Sequence, residues 1–205
     1  MEIAIIGTGH IGSGLARAWV RAGHHVTCGV RDTQDPSHAA LRDVGVHVAP
    51  VEEAVRAAVV TLAVPFGAVP AIARMRPDWT GTVVIDCTNA VGPGFTPLVG
   101  HTDSSAEINA RLLPGARLVK SFTAQGAENV ANPVYGNERA TNFYCGDDAD
   151  AKAIVRQLVT DVGFEPLDLG GLPMARVLEP MTFVWFAASR ALGTRDVAFT
   201  MLRRR

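Results

Sequence analysis

Cysteine is scarce. Cys28, Cys87 and Cys145 are dispersed along 205 residues, each in or beside an apolar, strand-like run. An odd, scattered set excludes a disulfide framework and CxxC metal spacing. The three are expected as small buried hydrophobes. The six histidines are scattered too. His24-His25 falls on a helix-to-strand turn, and no metal ligand is assigned. Charge of one sign is also missing. The formal net charge is −1 at pH 7, so no global basic field exists for nucleic acid. No apolar run is long enough to cross a bilayer, and Met1 leads straight into a strand-like run. Neither a membrane anchor nor a leader is therefore expected, and the expected compartment is the cytoplasm.

What the chain does have is apolar material, 48% of its residues, and one informative opening. Ile3-Ala4-Ile5-Ile6 reads as a strand buried on both faces. Gly7-Thr8-Gly9-His10-Ile11-Gly12 follows as G-x-G-x-x-G, and then a helical pattern begins. Gly7 permits the tight turn, Gly9 lets backbone approach a pyrophosphate, and Gly12 lets helix and strand pack closely. The amides that open the helix then face the phosphates. Because the glycines follow a strand and open a helix, the motif reads as a dinucleotide fingerprint.

The helix is expected over 10–22, with Ile11, Leu15 and Trp19 inward, Arg17 and Arg21 outward, and Gly23 as its cap. Further strands are expected at 26–30, 46–48, 59–64, 83–87 and 117–120, with helices at 37–44, 67–75 and 106–113 between them. Ser104 and Glu107 fit a capping box for the last of these. Past residue 120 the pattern loosens. Strands are expected at 142–145 and 165–169, flanking a helix capped by Asp148 and ended by Gly163. One long apolar helix is expected over 174–191, and its all-round apolar character implies burial in the domain or a partner.

Alternating strands and helices imply an α/β, Rossmann-type, doubly wound and mostly parallel sheet. One dinucleotide-binding domain over 1–205 is expected, with 172–205 a small C-terminal helical extension. Ligand belongs at the carboxyl ends of the strands. The loops at 8–12, 31, 64–66 and 88–90 should converge there.

An NAD-preferring fold places an acid at the end of the second strand. Here Gly29 and Val30 stand at that position and Arg31 follows. The small residue leaves room for a 2′-phosphate, and Arg31 can pair with it bidentately, so NADP(H) is the expected cofactor. Asp32 could instead pair with Arg31, or be the displaced acid. No acid or base suggests itself. Tyr135 and Tyr144 lack the Lys of a Tyr-x-x-x-Lys pair, having Arg139 and Asp148 four residues on. No local Ser/His/Asp or Cys/His set occurs. Lys120 ends a strand near the crevice and is open to a substrate or a structural role. A crevice without acid–base machinery suits an acceptor that takes hydride readily, the protein supplying alignment.

On these residues the chain resembles the NADPH-dependent reductases of the deazaflavin coenzyme F420, and the related reductase module of the STEAP metalloreductases. The resemblance rests on the glycine motif, Gly29-Val30-Arg31, Ala63-Val64-Pro65, Ile85-Asp86-Cys87-Thr88-Asn89, the stretch from Leu112 to Phe122, and Leu178-Glu179-Pro180. It implies that Gly7, Thr8, Gly9, His10, Ile11 and Gly12 hold the pyrophosphate and Arg31 the 2′-phosphate. Ala63, Val64, Pro65, Asn89 and Ala90 would line the nicotinamide side, and Phe122 and Thr123 would border the deazaflavin. His10 stands where Asn or Asp is commoner in the family, and Thr123 where Asn or His is. The resemblance further implies a homodimer and hydride transfer between nicotinamide C4 and deazaflavin C5, with a proton exchanged with solvent at a ring nitrogen. Reduction of another acceptor (a flavin, a quinone-like ring, an imine or a carbonyl) and a non-enzymatic NADP(H) sensor are the competing readings. The deazaflavin carries a phosphate and glutamate tail. No stretch of sequence marks a basic groove for it, since the arginines at 203–205 are terminal and read as a solvated tail.

Overall fold

The computed structural model describes residues 1–204. Arg205, the last of the expected tail arginines, lies outside the described residues. Strand β1 (Glu2–Ile6) opens the chain, and its four apolar residues are all buried. Helix α1 (His10–Arg21) follows, with Leu15 and Trp19 buried and Ile11 half-buried. Strands β2 (His25–Val30), β3 (His47–Pro50), β4 (Val59–Leu62), β5 (Val83–Asp86) and β6 (Arg117–Lys120) join β1 in one parallel array, in the order β3-β2-β1-β4-β5-β6. The order reverses between β1 and β4, so the crevice at their carboxyl ends is the topological switch point.

The intervening helices α2 (Ala39–Arg42), α3 (Val51–Ala54) and α4 (Val69–Ala73) are short. One 3₁₀ turn leads into α2 and another into α4, which trims the helices expected over 37–44 and 67–75. Helix α5 (Ser105–Leu112) starts at Ser104, whose Oγ accepts the Glu107 N–H at 3.1 Å. The capping box is only half made. The Glu107 carboxylate does not reach back to the Ser104 N–H, because Arg176 and the Ser104 hydroxyl hold it.

After β6 the chain makes a polar excursion through α6 (Ala127–Ala131) and a small hairpin, then returns as β7 (Thr141–Gly146) antiparallel to β6. Helix α7 (Ala149–Val162) is capped by Asp148, which accepts the Ala151 N–H at 2.7 Å, and ended by Gly163 at φ 108°. Strand β8 (Glu165–Asp168) then pairs parallel to β7. The two last strands therefore run against the first six. Trp19 Nε1 donates to the Leu158 carbonyl at 3.0 Å and ties α1 to α7 on one face of the sheet.

The helix expected over 174–191 is broken into α8 (Ala175–Leu178) and α9 (Met181–Leu192). Pro180 between them has no N–H to donate into the preceding turn. Phe122, expected beside the acceptor, is a core residue. It sits at φ 54° and is 1% exposed, with its ring 6.0 Å from Trp19 and 6.3 Å from Phe164. This left-handed backbone is uncommon for a bulky residue, and the side chain fills the core on the α1 and α7 face of the sheet.

Candidate functional site

A cavity of about 830 Å³ opens at the carboxyl ends of β1, β2 and β4. The glycine turn (Gly7, Thr8, Gly9), Arg31 and the run Ala63-Val64-Pro65 all line it. The four loops do not all meet in this cavity. Its lining leaves out His10, Ile11 and Gly12, which continue from the turn into α1, and also Asn89, Ala90, Phe122 and Thr123. Asp35, Ser37, His38 and Met75 also line it and were not singled out in the sequence. Their loops carry no motif, only proximity to β2 and β4.

The three motif glycines are required for different reasons. A Cβ on Gly12 would lie 2.0 Å from the Gly7 carbonyl oxygen, and one on Gly7, at φ 102°, would lie 2.5 Å from the Ala63 oxygen. Both are demanded by the fold. A Cβ on Gly9 would meet no atom within 4 Å, and its φ of −65° and ψ of −174° suit any residue. Nothing within the chain asks for glycine there, so the open space fits a ligand. Helix α1 has no side-chain cap and no acid in its first turn. Its opening amides are left to an outside acceptor, as a pyrophosphate would provide. The residues present therefore fit a dinucleotide.

Gly29 lines the cavity beside Arg31, and its small size also serves the fold. Its Cβ would lie 2.8 Å from both Ala54 Cβ and Ile6 Cδ1, so its smallness admits α3 against the sheet. Arg31 is exposed at the cavity rim. Asp32 does not neutralise it: Asp32 accepts the Gln34 N–H at 2.9 Å, and Arg31 has no ion pair among the described residues. A guanidinium with no ion pair among the described residues, beside an Asp32 turned to its own loop, is an arrangement that suits a 2′-phosphate.

The loops after β5 and β6 are joined by side chains. Asn89 Oδ1 accepts from Thr123 Oγ1 at 2.5 Å and from Thr182 Oγ1 at 3.2 Å, and Asn89 Nδ2 donates to the Thr123 carbonyl at 3.4 Å. Thr182 also donates to that carbonyl at 2.8 Å. Helix α9 thereby fixes the orientation of the Asn89 amide, a link with no local signal in the sequence.

Beneath this loop lies Lys120, 0% exposed. Its ammonium contacts Asp86 Oδ2 at 3.4 Å, Glu179 Oε1 at 3.2 Å, Ser105 Oγ at 3.1 Å and the Thr88 carbonyl. Burial pushes the Lys120 pKa down, but the Asp86 and Glu179 carboxylates outweigh it and hold the group above its ordinary value. A buried, charged lysine so enclosed is structural, which decides between the two roles left open. The three thiols are equally unsuited to nucleophilic work. Burial is the first cause raising each of them, Cys28 and Cys145 to about 12, with Asp86 adding to the rise at Cys87. Among the described residues no cluster of His, Cys, Asp or Glu could hold a metal ion, and no helix is long and apolar enough to cross a membrane.

Residues 2–90 match the family described as NADP oxidoreductase, coenzyme F420-dependent. Over 204 residues the chain is 31% identical to the F420-dependent NADP reductase of Methanothermobacter thermautotrophicus, covering 89% of this chain and 86% of that protein. The chain belongs to the F420-dependent NADP oxidoreductase family. It is an NADP-dependent oxidoreductase by that membership. Within the same reach is rat Metalloreductase STEAP3, 31% identical over 180 residues, of which the chain spans 36% of the length. A solved structure assigned as an F420-dependent NADP reductase of Arthrobacter sp. FB24 superposes with a TM-score of 0.86 at 29% identity, over 98% of this chain and 99% of that one. A reductive aminase from Aspergillus terreus shares the fold, with a TM-score of 0.71 at 18% identity over 94% of this chain and 62% of that one.

Proposed function

We propose that this family member transfers hydride between NADP(H) and the deazaflavin coenzyme F420. The observation that carries the cofactor half is Arg31, without an ion pair among the described residues, at the rim of a cavity whose glycine turn is open at Gly9. The acceptor half is supported by the match over 86% of a reductase named for that coenzyme. In this reading Thr8 and Gly9 with the opening amides of α1 hold the pyrophosphate, and Arg31 holds the 2′-phosphate. Ala63-Val64-Pro65 and Asn89-Ala90 border the nicotinamide side, and Thr123 stands next to the acceptor. Phe122 contributes packing only.

The reaction needs no dedicated acid. Held by Thr8, Gly9 and Arg31, NADP(H) would supply the hydride that the deazaflavin ring accepts, or take it back in the reverse direction. A ring nitrogen of the acceptor takes its proton from solvent. The protein's part is alignment of the two rings. A homodimer belongs to the same proposal, with Val184 (56% exposed) and Leu192 (66% exposed) on α9 offering an apolar face to a second copy. Sedimentation of the purified protein tests this.

Purified protein mixed with NADPH and coenzyme F420 should bleach the deazaflavin band, and NADH should be a poor substitute. Oxidation of NADPH only by flavins, imines or carbonyls would overturn the acceptor assignment. Oxidation by no acceptor would favour a sensor.

A further inference from the structure

After α9 the chain runs on without helix or strand, and residues 194–201 form a strap against the polar excursion that follows β6. Specific hydrogen bonds hold it there. The Val197 carbonyl accepts from Asn129 Nδ2 at 2.9 Å and from Trp185 Nε1 at 2.8 Å, so one oxygen joins α6 to α9. The Phe199 carbonyl accepts the Thr141 N–H at 2.8 Å, and the Met201 N–H donates to Thr141 Oγ1 at 3.0 Å, which fixes the far end to the start of β7. At the near end the Ser189 hydroxyl donates to the Thr194 carbonyl at 2.7 Å. Arg195 adds a clamp at the surface. Its guanidinium donates to both oxygens of the Glu128 carboxylate on α6 and lies 4.9 Å from the centre of the Trp185 ring on α9.

The strap grips the turn that carries Thr123. Asn129 is 0% exposed. Its Oδ1 accepts the Gly126 N–H at 3.1 Å, and its Nδ2 donates to the Val197 carbonyl and, at 2.8 Å, to the Tyr135 hydroxyl. The Trp185 ring presses on the same turn, since a Cβ on Gly126 would lie 2.4 Å from Trp185 Cη2. Earlier on α9, Thr182 donates to the Thr123 carbonyl at 2.8 Å. Residues 123–126 are therefore held at both ends by α9, and the strap sets α9 against α6. A buried polar network with its partners in place fixes one geometry. None of Thr123, Gly126, Asn129, Trp185, Arg195 and Val197 lines the cofactor cavity, so loosening the strap shifts the turn and leaves the nucleotide seat alone.

We infer that the strap sets the rate of hydride transfer by fixing the turn 123–126, with Asn129, Trp185 and Arg195 as positioning residues that act through that turn. The inference rests on the proposed place of Thr123 next to the acceptor. Hydride transfer depends on the approach of two rings, and a misplacement of about 1 Å can cost on the order of a hundredfold in rate. A hold on the turn that spans α6, α9 and the chain beyond it is therefore felt in the chemical step and not in cofactor binding.

The test uses Trp185→Phe, which keeps an aromatic ring and deletes the Nε1 donor, and Arg195→Ala, a surface change that leaves the core intact. The readout is the single-turnover rate of hydride transfer from NADPH to coenzyme F420 with both saturating, beside the Kd for NADPH. Trp185→Phe should slow transfer about tenfold or more. Arg195→Ala should slow it about two- to fivefold, the scale of an exposed ion pair, and Arg195→Lys should recover part of that loss. NADPH affinity should be unchanged in all three. A transfer rate unchanged in both Trp185→Phe and Arg195→Ala, even with a lowered melting temperature, would overturn the inference by making the strap merely structural. So would an equal loss of NADPH affinity. If the enzyme reduces no deazaflavin at all, the proposed function fails, and hydrogen exchange at the Gly126 amide decides the strap's hold on the turn separately. Exchange about tenfold faster in Trp185→Phe, with the amides of β1 unaltered, supports it, and unchanged exchange overturns it.

Discussion

Lys120 Nζ lies 3.2 Å from Glu179 Oε1, and this contact joins the end of β6 to the α8–α9 junction. The same carboxylate accepts the Ser105 N–H at 2.9 Å, the Ser105 hydroxyl at 2.7 Å and the Ala106 N–H at 3.0 Å, so Glu179 also satisfies the start of α5. Asp86, the other carboxylate on Lys120, accepts the Thr88 N–H at 2.8 Å and an Asn109 amide hydrogen at 3.1 Å. The loop that carries Asn89 is thus held from below by three buried charges.

Removing one of them should be costly, because the others stay buried and uncompensated. Glu179→Ala is expected to lose about 3–5 kcal/mol of stability, the range for breaking a buried pair. Glu179→Gln, which keeps one acceptor for α5, should lose less. Urea unfolding monitored by circular dichroism measures both. A loss below about 1 kcal/mol for the alanine variant would show that the hub is solvated.

The same hub predicts an alkaline weakness. The Lys120 pKa is raised above its ordinary 10.5 in the folded state, so the native form retains its proton where the unfolded chain has released it. The stabilisation is complete below pH 10.5 and is lost as pH rises through the folded value. Tyr135, pushed up to about 12 first by burial, acts in the same direction. Urea midpoints should therefore fall from pH 9 to pH 12. A flat or rising profile contradicts the assignment.

Arg31→Ala tests cofactor choice. NADPH binding should weaken by about 1.5–3 kcal/mol, the range for a hydrogen bond to a charged group, with NADH affinity nearly unaltered. Titration by intrinsic fluorescence measures both, and equal losses would remove Arg31 from the 2′-phosphate.

The glycines should separate into two classes. Gly9→Leu has room and a compatible backbone, so its melting temperature should match that of the unaltered protein while both nicotinamide cofactors lose affinity. Gly12→Ala would press a methyl group into the Gly7 carbonyl and should lower the melting temperature. Undiminished cofactor binding by Gly9→Leu would make the open space there incidental.

Thr182→Val removes the hydroxyl that donates to the Thr123 carbonyl and Asn89. A stability loss of about 0.5–1.5 kcal/mol is expected, together with a lower kcat, since the Asn89 amide is then free to turn. An unchanged kcat would show that its orientation has no bearing on hydride transfer.

The nucleotide half of the protein was legible because its signals are local. Four apolar residues, a glycine turn and a 3.6-residue stripe encode strand, turn and helix within the first two dozen residues, and the break at Pro180 has an equally local cause in a missing N–H. The direction of β7 was not legible, because the polar segment after Thr123 carries no periodicity to choose a parallel crossover over a return. The packing role of Gly29 against Ala54 and Ile6 was not legible either, because one small residue signals a helix contact or a ligand gap equally well until the neighbouring chain is placed.

The sequence by itself determined a glycine turn at the carboxyl end of a buried strand, with a cation just after the position where NAD-binding proteins carry an acid. Only the tertiary structure decided that Phe122 points into the core, that Lys120 is enclosed by carboxylates, and that the Val197 carbonyl joins α6 to α9. The physical reason is separation along the chain. The Ser105 hydroxyl and the Glu179 carboxylate that meet at 2.7 Å are 74 residues apart, and contacts at that range leave no pattern in the residues on either side.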